Sequence, residues 1–200
     1  MWPFSRKKTG GSAASSTTLA QALELLAKAG VRIRPGISLN DLPDPPLATI
    51  ESPADWVSLL ALLGSEVERA KFEPISDDIW HFDAECIEDH GAYVDVLNRF
   101  VLLAKGALPL ADVRDHVDVE AGEAWVEFTL HGKKEHWDLE VNNDWVDPEL
   151  YSRLQQLVTK RGDGKRFFIA GLGQDSLISF GDDQMRQTLS RLSGLEFQWE

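Results

Sequence analysis

The sequence predicts an α+β fold, a single domain in which about five helices pack a mainly antiparallel sheet of four or more strands. Three observations carry that expectation. Strand-like runs follow one another between helices without regular βαβ alternation. Several of those runs alternate apolar and polar residues, as strands with one wet face do. Capping residues and glycines punctuate nearly every change of period.

Residues 1–16 combine a basic start, Arg6-Lys7-Lys8, with a Gly/Ser/Thr/Ala stretch that has no apolar periodicity, so they are expected to form a flexible tail. Trp2 and Phe4 beside those cations give a second reading, a weak surface anchor. Residues 17–200 are expected to form the domain, with a helical part at 17–64 and a sheet-containing body at 65–200. Thr17 or Thr18 caps a first helix with apolar face Leu19, Ala22, Leu23 and Leu26, and Gly30 follows its last turn. Val31–Gly36 reads as extended and Asn40–Pro46 as a proline-broken loop. Ser52-Pro53-Ala54-Asp55 is a capping box with proline at the first helical position. The helix it opens repeats Trp56, Leu59, Leu60 and Leu63 and stops at Gly64.

From Ile79 the period becomes two. Trp80, Phe82, Ala84 and Cys86 alternate with His81, Asp83 and Glu85, as in a half-buried strand. Ala92–Lys105 is helical, with Tyr93, Val96, Leu97, Phe100 and Ala104 on one face. Three strand-like runs come next. Val117 and Val119 oppose His116, Asp118 and Glu120; Ala124, Val126, Phe128 and Leu130 oppose Trp125, Glu127 and Thr129. Trp137, Leu139 and Val141 oppose His136, Asp138 and Glu140, after a hairpin loop expected at His131–Glu135. Asp147-Pro148 opens a helix through Leu150, Leu154, Leu157 and Val158. Arg166–Leu172 and Ser176–Phe180 read as strands joined at Gly173-Gln174-Asp175. Asp182 or Asp183 caps a last helix with Met185, Leu189 and Leu192, closed by Gly194, and Leu195–Trp199 is a final short strand.

Composition sets the bounds. With 43% hydrophobic and 26% charged residues in a chain of 200, a full core is available. Cys86 is the only cysteine, which excludes an intrachain disulfide and a Cys-rich zinc site and suits a reducing, cytoplasmic setting. No apolar run approaches the about 18–20 residues that span a bilayer, so stable membrane insertion is not expected. The charge is uneven: residues 65–150 hold 22 acids and 7 bases, while each flank is close to neutral within a total of −13. A field of that sign favours a cationic partner and opposes nucleic acid.

Catalytic motifs are sparse. Gly171-Leu172-Gly173 lacks the third glycine of a dinucleotide turn, and no Walker A, Gly-x-Ser-x-Gly or His-Glu-x-x-His sequence occurs. No cofactor is expected. Cys86 continues an apolar strand face, which favours burial over nucleophilic use. His81 and Asp83 share one strand face, and His116 or His136 from neighbouring strands could complete an oxygen/nitrogen metal set, the basis for a small metal-dependent or hydrolytic enzyme as the alternative reading. A regulatory or scaffold module without chemistry is a third. If the four half-buried strands join one sheet, Asp83, Glu85, Asp118, Glu120, Glu127, Asp138 and Glu140 collect on one side and form a surface for a basic protein partner. The Asn142–Pro148 loop adds Asp144 and Trp145, an aromatic anchor beside carboxylates.

A small, acidic, Trp-containing α+β chain with acidic strand faces and such a loop resembles the immunity proteins of bacterial toxin systems. The resemblance implies an acidic binding protein that neutralises a cationic toxin domain by direct contact. It carries over no residue roles.

Overall fold

The computed structural model describes residues 16–42 and 47–199. Of the flexible tail expected at residues 1–16, with the surface anchor through Trp2 and Phe4, residues 1–15 lie outside the described residues, as do residues 43–46 of the expected Asn40–Pro46 loop. In chain order the elements are β1 (Thr17–Thr18), α1 (Leu19–Ala29), β2 (Thr49–Ile50), α2 (Pro53–Gly64), β3 (Glu66–Glu68), β4 (Phe72–Pro74), β5 (Ile79–Asp83), α3 (Ala92–Ala104), β6 (Leu110–Asp118), β7 (Glu123–Leu130), β8 (Lys133–Leu139), α4 (Glu149–Thr159), β9 (Arg166–Gly171), β10 (Asp175–Gly181), α5 (Asp183–Ser193) and β11 (Gln198–Trp199). The fold is α+β, and every strand pairing within its sheets is antiparallel.

Local chemistry explains most boundaries. The Thr18 hydroxyl and the Gln21 side chain close a capping box at α1, and Ser52 and Asp55 do the same at α2. Asp182 accepts the N–H of Met185 to start α5. Helix α3 has no side-chain cap of its own; Asp115, reaching over from β6, accepts the N–H groups of Gly91 and Val94. The β7–β8 turn needs only His131 and Gly132, at φ 50° and 77°, the left-handed pair of a two-residue hairpin. The expected five-residue link is therefore too long.

An antiparallel sheet of four strands forms as expected, but the condition for a single acidic face is not met. The strands do not join one sheet. A four-stranded sheet has the order β11-β9-β10-β5, and β6-β7-β8 form a separate three-stranded sheet. Residues 79–83 pair with 175–179, not with the strands that follow them in sequence. Two short pairs that the sequence did not announce, β1 with β2 and β3 with β4, complete the set.

The four-stranded sheet is covered on both faces. Ile79, Phe168, Ala170 and Leu177 face a core shared with Leu26 of α1, Leu60 of α2 and Leu189 of α5. Phe82, Phe167 and Ile178 face a second core with Leu97 and Phe100 of α3 and Leu154 of α4. The inner residues of the three-stranded sheet, Val117, Val126, Phe128 and Leu139, close that second core. Each fully buried ring there, such as Phe100 or Phe128, contributes about 1.5–3 kcal/mol from burial alone. Trp80 and Val141, on the apolar sides of their expected strands, are only half-buried. Gly64 at the end of α2 abuts the β5 backbone: a Cβ there would lie 2.4 Å from the His81 nitrogen and 2.8 Å from the Trp80 carbonyl carbon.

Candidate functional site: an acidic aromatic sheet face

The outer face of the three-stranded sheet follows from period and register. On β7 the inward residues are Ala124, Val126 and Phe128, so Trp125, Glu127 and Thr129 point outward. Register then sets Trp125 opposite His116 on one side and Asp138 on the other, and Glu127 opposite Arg114 and His136. The result is a ladder of rings. The His90 ring lies 4.9 Å from that of His116, His116 stacks on Trp125 at 5.6 Å and 19°, and Trp125 lies 5.4 Å from His136. His90 is delivered by the β5–α3 connection, and its Nδ1 accepts the Val117 N–H at 3.0 Å.

Carboxylates border the ladder. His136 sits between two of them, with Nδ1 3.1 Å from Glu127 Oε1 and Nε2 3.2 Å from Asp138 Oδ1. Hydrogen bonds to Glu127 first and Asp138 second raise the His136 pKa above its ordinary value. The imidazole thus separates two like charges that the sheet brings close together. Asp118 and Glu123 form a cross-strand pair at the far end of the same two strands. Near Glu127 the β6 strand bulges between Ala111 and Arg114, and Thr129 donates to Asp112 across the gap. A recess of about 360 Å³ opens there, with Asp112, Arg114, Glu127, Lys134, Glu135 and His136 in its lining.

The expected partner-binding residues divide into groups. Glu127, Asp138 and Asp118 belong to the three-stranded sheet. Glu120 lies in the β6–β7 turn and Glu140 just past β8, so neither stands on a strand face as expected. Asp83, Glu85, Asp144 and Trp145 gather elsewhere, where the chain leaving β5 meets the loop before α4. Glu85 bridges to Trp145, Ile87 donates to the Asp144 carbonyl at 2.8 Å, and Val146 donates to that of Ala84 at 2.9 Å. Asp83 accepts from Gln174 and from the Glu85 N–H, and these bonds hold its pKa below the ordinary carboxylate value. Trp145 is half-buried in this junction. Glu88 and Asp89 continue the acidic chain from there to His90.

The metal set does not assemble. His81 is on β5 and pairs with Asp175 at 3.3 Å, whereas His116 and His136 are on the other sheet with Trp125 between them. Among the described residues no group of three or more His, Cys, Asp or Glu side chains is placed to hold a metal ion. Burial first, then the charges of Asp83, Asp144 and Glu88, push the Cys86 thiol up to about 11, which leaves little thiolate at neutral pH. The outer face offers hydrogen-bond acceptors around aromatic surface.

Trp125 and His90 were not singled out by sequence reasoning. The outward phase of Trp125, an indole between polar neighbours, was the available signal; His90 gave none, since only the β5–α3 connection brings it to β6. The chain matches no family model, no curated protein and no solved structure. Among the described residues no helix is long and apolar enough to cross a membrane.

Proposed function

We propose that this chain is an acidic binding protein that engages a basic protein partner through the outer face of its three-stranded sheet. One observation carries the reading: the half-buried indole of Trp125 lies between His116 and His136, with Glu127 and Asp138 beside them. An aromatic anchor bordered by carboxylates supplies contact area at the centre and selects Lys and Arg at the rim. The excess of acids across residues 65–150 would steer such a partner toward this face. In its specific form the proposal is an immunity protein, with a cationic toxin domain as the partner.

The test begins with capture of a basic partner from the native host and continues with kinetics at two salt concentrations. Glu127→Lys combined with Asp138→Lys should slow association by about tenfold or more at low salt, with a smaller effect at high salt. Trp125→Ala should mainly speed dissociation, weakening affinity by about 2 kcal/mol or more. If both variants bind as the parent does at both salt concentrations, this face is not the interface and the Glu85–Trp145 junction becomes the next surface to mutate.

A further inference from the structure

An open cleft of about 850 Å³ runs between α3, β5 and the segment leaving α2, and shares no lining residue with the recess on the three-stranded sheet. Phe72, Trp80, Phe82, Val96 and Leu102 form its apolar walls, with Phe72 65% exposed. Arg99 also lines it, although this side chain belongs to a residue only 7% exposed. Its Nη2 donates to the carbonyls of Ser76 and Ile79, at 3.2 and 3.3 Å. Among the described residues, Nε and Nη1 have no hydrogen-bond partner, and no carboxylate is within ion-pair distance of the guanidinium. Asp77, one of the nearby acids, is instead matched to Arg34 at 3.3 Å.

A guanidinium out of water with two nitrogens unpaired is a costly arrangement, and an anionic oxygen is the partner it lacks. Glu66, Asp83 and Asp95 also line the cleft. Their charges repel a polyanion such as a phosphate ester most strongly, and a monoanion with an apolar body least, so that contact with the guanidinium has the smallest repulsion to offset. The walls suit that body. We propose that the cleft binds a small apolar carboxylate, its anionic group on the unpaired side of Arg99 and its apolar body against Trp80, Phe82 and Phe72. Nε and Nη1 are closed to solvent, so binding requires a local shift of the side chains that cover them; the Trp80 ring lies 6.0 Å from the guanidinium carbon.

The experiment uses the full chain and two probes, 3-phenylpropanoate and 3-phenylpropan-1-ol, followed by ¹H–¹⁵N spectra that include the arginine Nε–H and tryptophan indole signals. The carboxylate should shift the Arg99 Nε–H and the Trp80 indole saturably, and the alcohol should bind at least about tenfold more weakly. Arg99→Met should abolish that preference; if the variant does not fold, the comparison of acid with alcohol on the parent protein decides. Equal binding of the two probes, shifts confined to other residues, or no shift overturns the proposal. None of these outcomes depends on the partner-binding face.

Discussion

The phenolic oxygen of Tyr93 accepts the backbone N–H of Asp147 at 3.0 Å, fastening α3 to the loop that precedes α4. Tyr93 is 1% exposed, and burial pushes its phenol up to about 12. The Asp147 carboxylate in turn holds the N–H groups of Glu140 and Glu149. The loop that carries Trp145 is therefore pinned at its base. Tyr93→Phe removes only the acceptor and leaves a buried N–H unpaired, so it should cost about 1–3 kcal/mol in urea unfolding with an unchanged m-value. An unchanged midpoint would show that this bond does not hold the loop.

Asp115 is the second remote fastener. It supplies to α3 the cap that the helix's own residues lack, through Gly91 and Val94. Asp115→Ala should destabilise by about 1–2 kcal/mol, while Arg114→Ala, exposed at the adjacent position of the same strand, should stay within about 0.5 kcal/mol. Equal losses for the two variants would contradict the cap.

The pH dependence of the outer face has a definite sign. Because the folded pKa of His136 is raised above 6.5, its imidazolium contributes stability that is fully present below that unfolded value and is lost as pH rises through the higher folded value. The contribution is small, since Glu127, His136 and Asp138 all reach solvent. An NMR titration should place the His136 midpoint above 6.5, and Glu127→Gln with Asp138→Asn should return it toward 6.5. A parent midpoint at or below 6.5 would mean that the two carboxylates do not hold the imidazole.

Cys86 should be a slow thiol. With its pKa pushed up to about 11, only about a thousandth is thiolate at pH 8, against about a quarter for an ordinary cysteine. Alkylation by iodoacetamide at pH 8 should run at least about a hundredfold slower in the folded protein than in urea. Comparable rates would show that the thiol is open to water.

Helix limits and strand phases were legible because their causes are local. Thr18, Ser52 and Asp182 declare helix starts, Gly30 and Gly194 declare ends, and the alternation around Phe82, Val126 and Leu139 marks the buried side. Strand partnership was not legible. The match of Ile79–Asp83 to Asp175–Ser179 depends on how two cores close around one sheet, and no nearby residue encodes it. That one pairing divides the acidic residues expected on a single face and separates His81 from His116 and His136. The apolar run Phe167–Ala170 of β9 fits a sheet covered on both faces. The β3–β4 hairpin escaped notice because its strands are short and charged and its Phe72 faces outward.

The contact of Gly64 with His81 reaches beyond packing. An unpaired sheet edge is a template on which another molecule can grow a strand, the first step toward fibrous aggregation. Along β5 that template is shut, with Gly64 pressed on the His81 backbone and Arg99 occupying the Ile79 carbonyl. A side chain at position 64 would prise it open. The opposite edge, β11, is only two residues long and lies beneath Arg166 and Arg186, which flank Trp199. In the other sheet one border is broken by the β6 bulge and the other begins with Lys133 and Lys134. Each of these four borders therefore carries a feature that hinders the addition of a further strand.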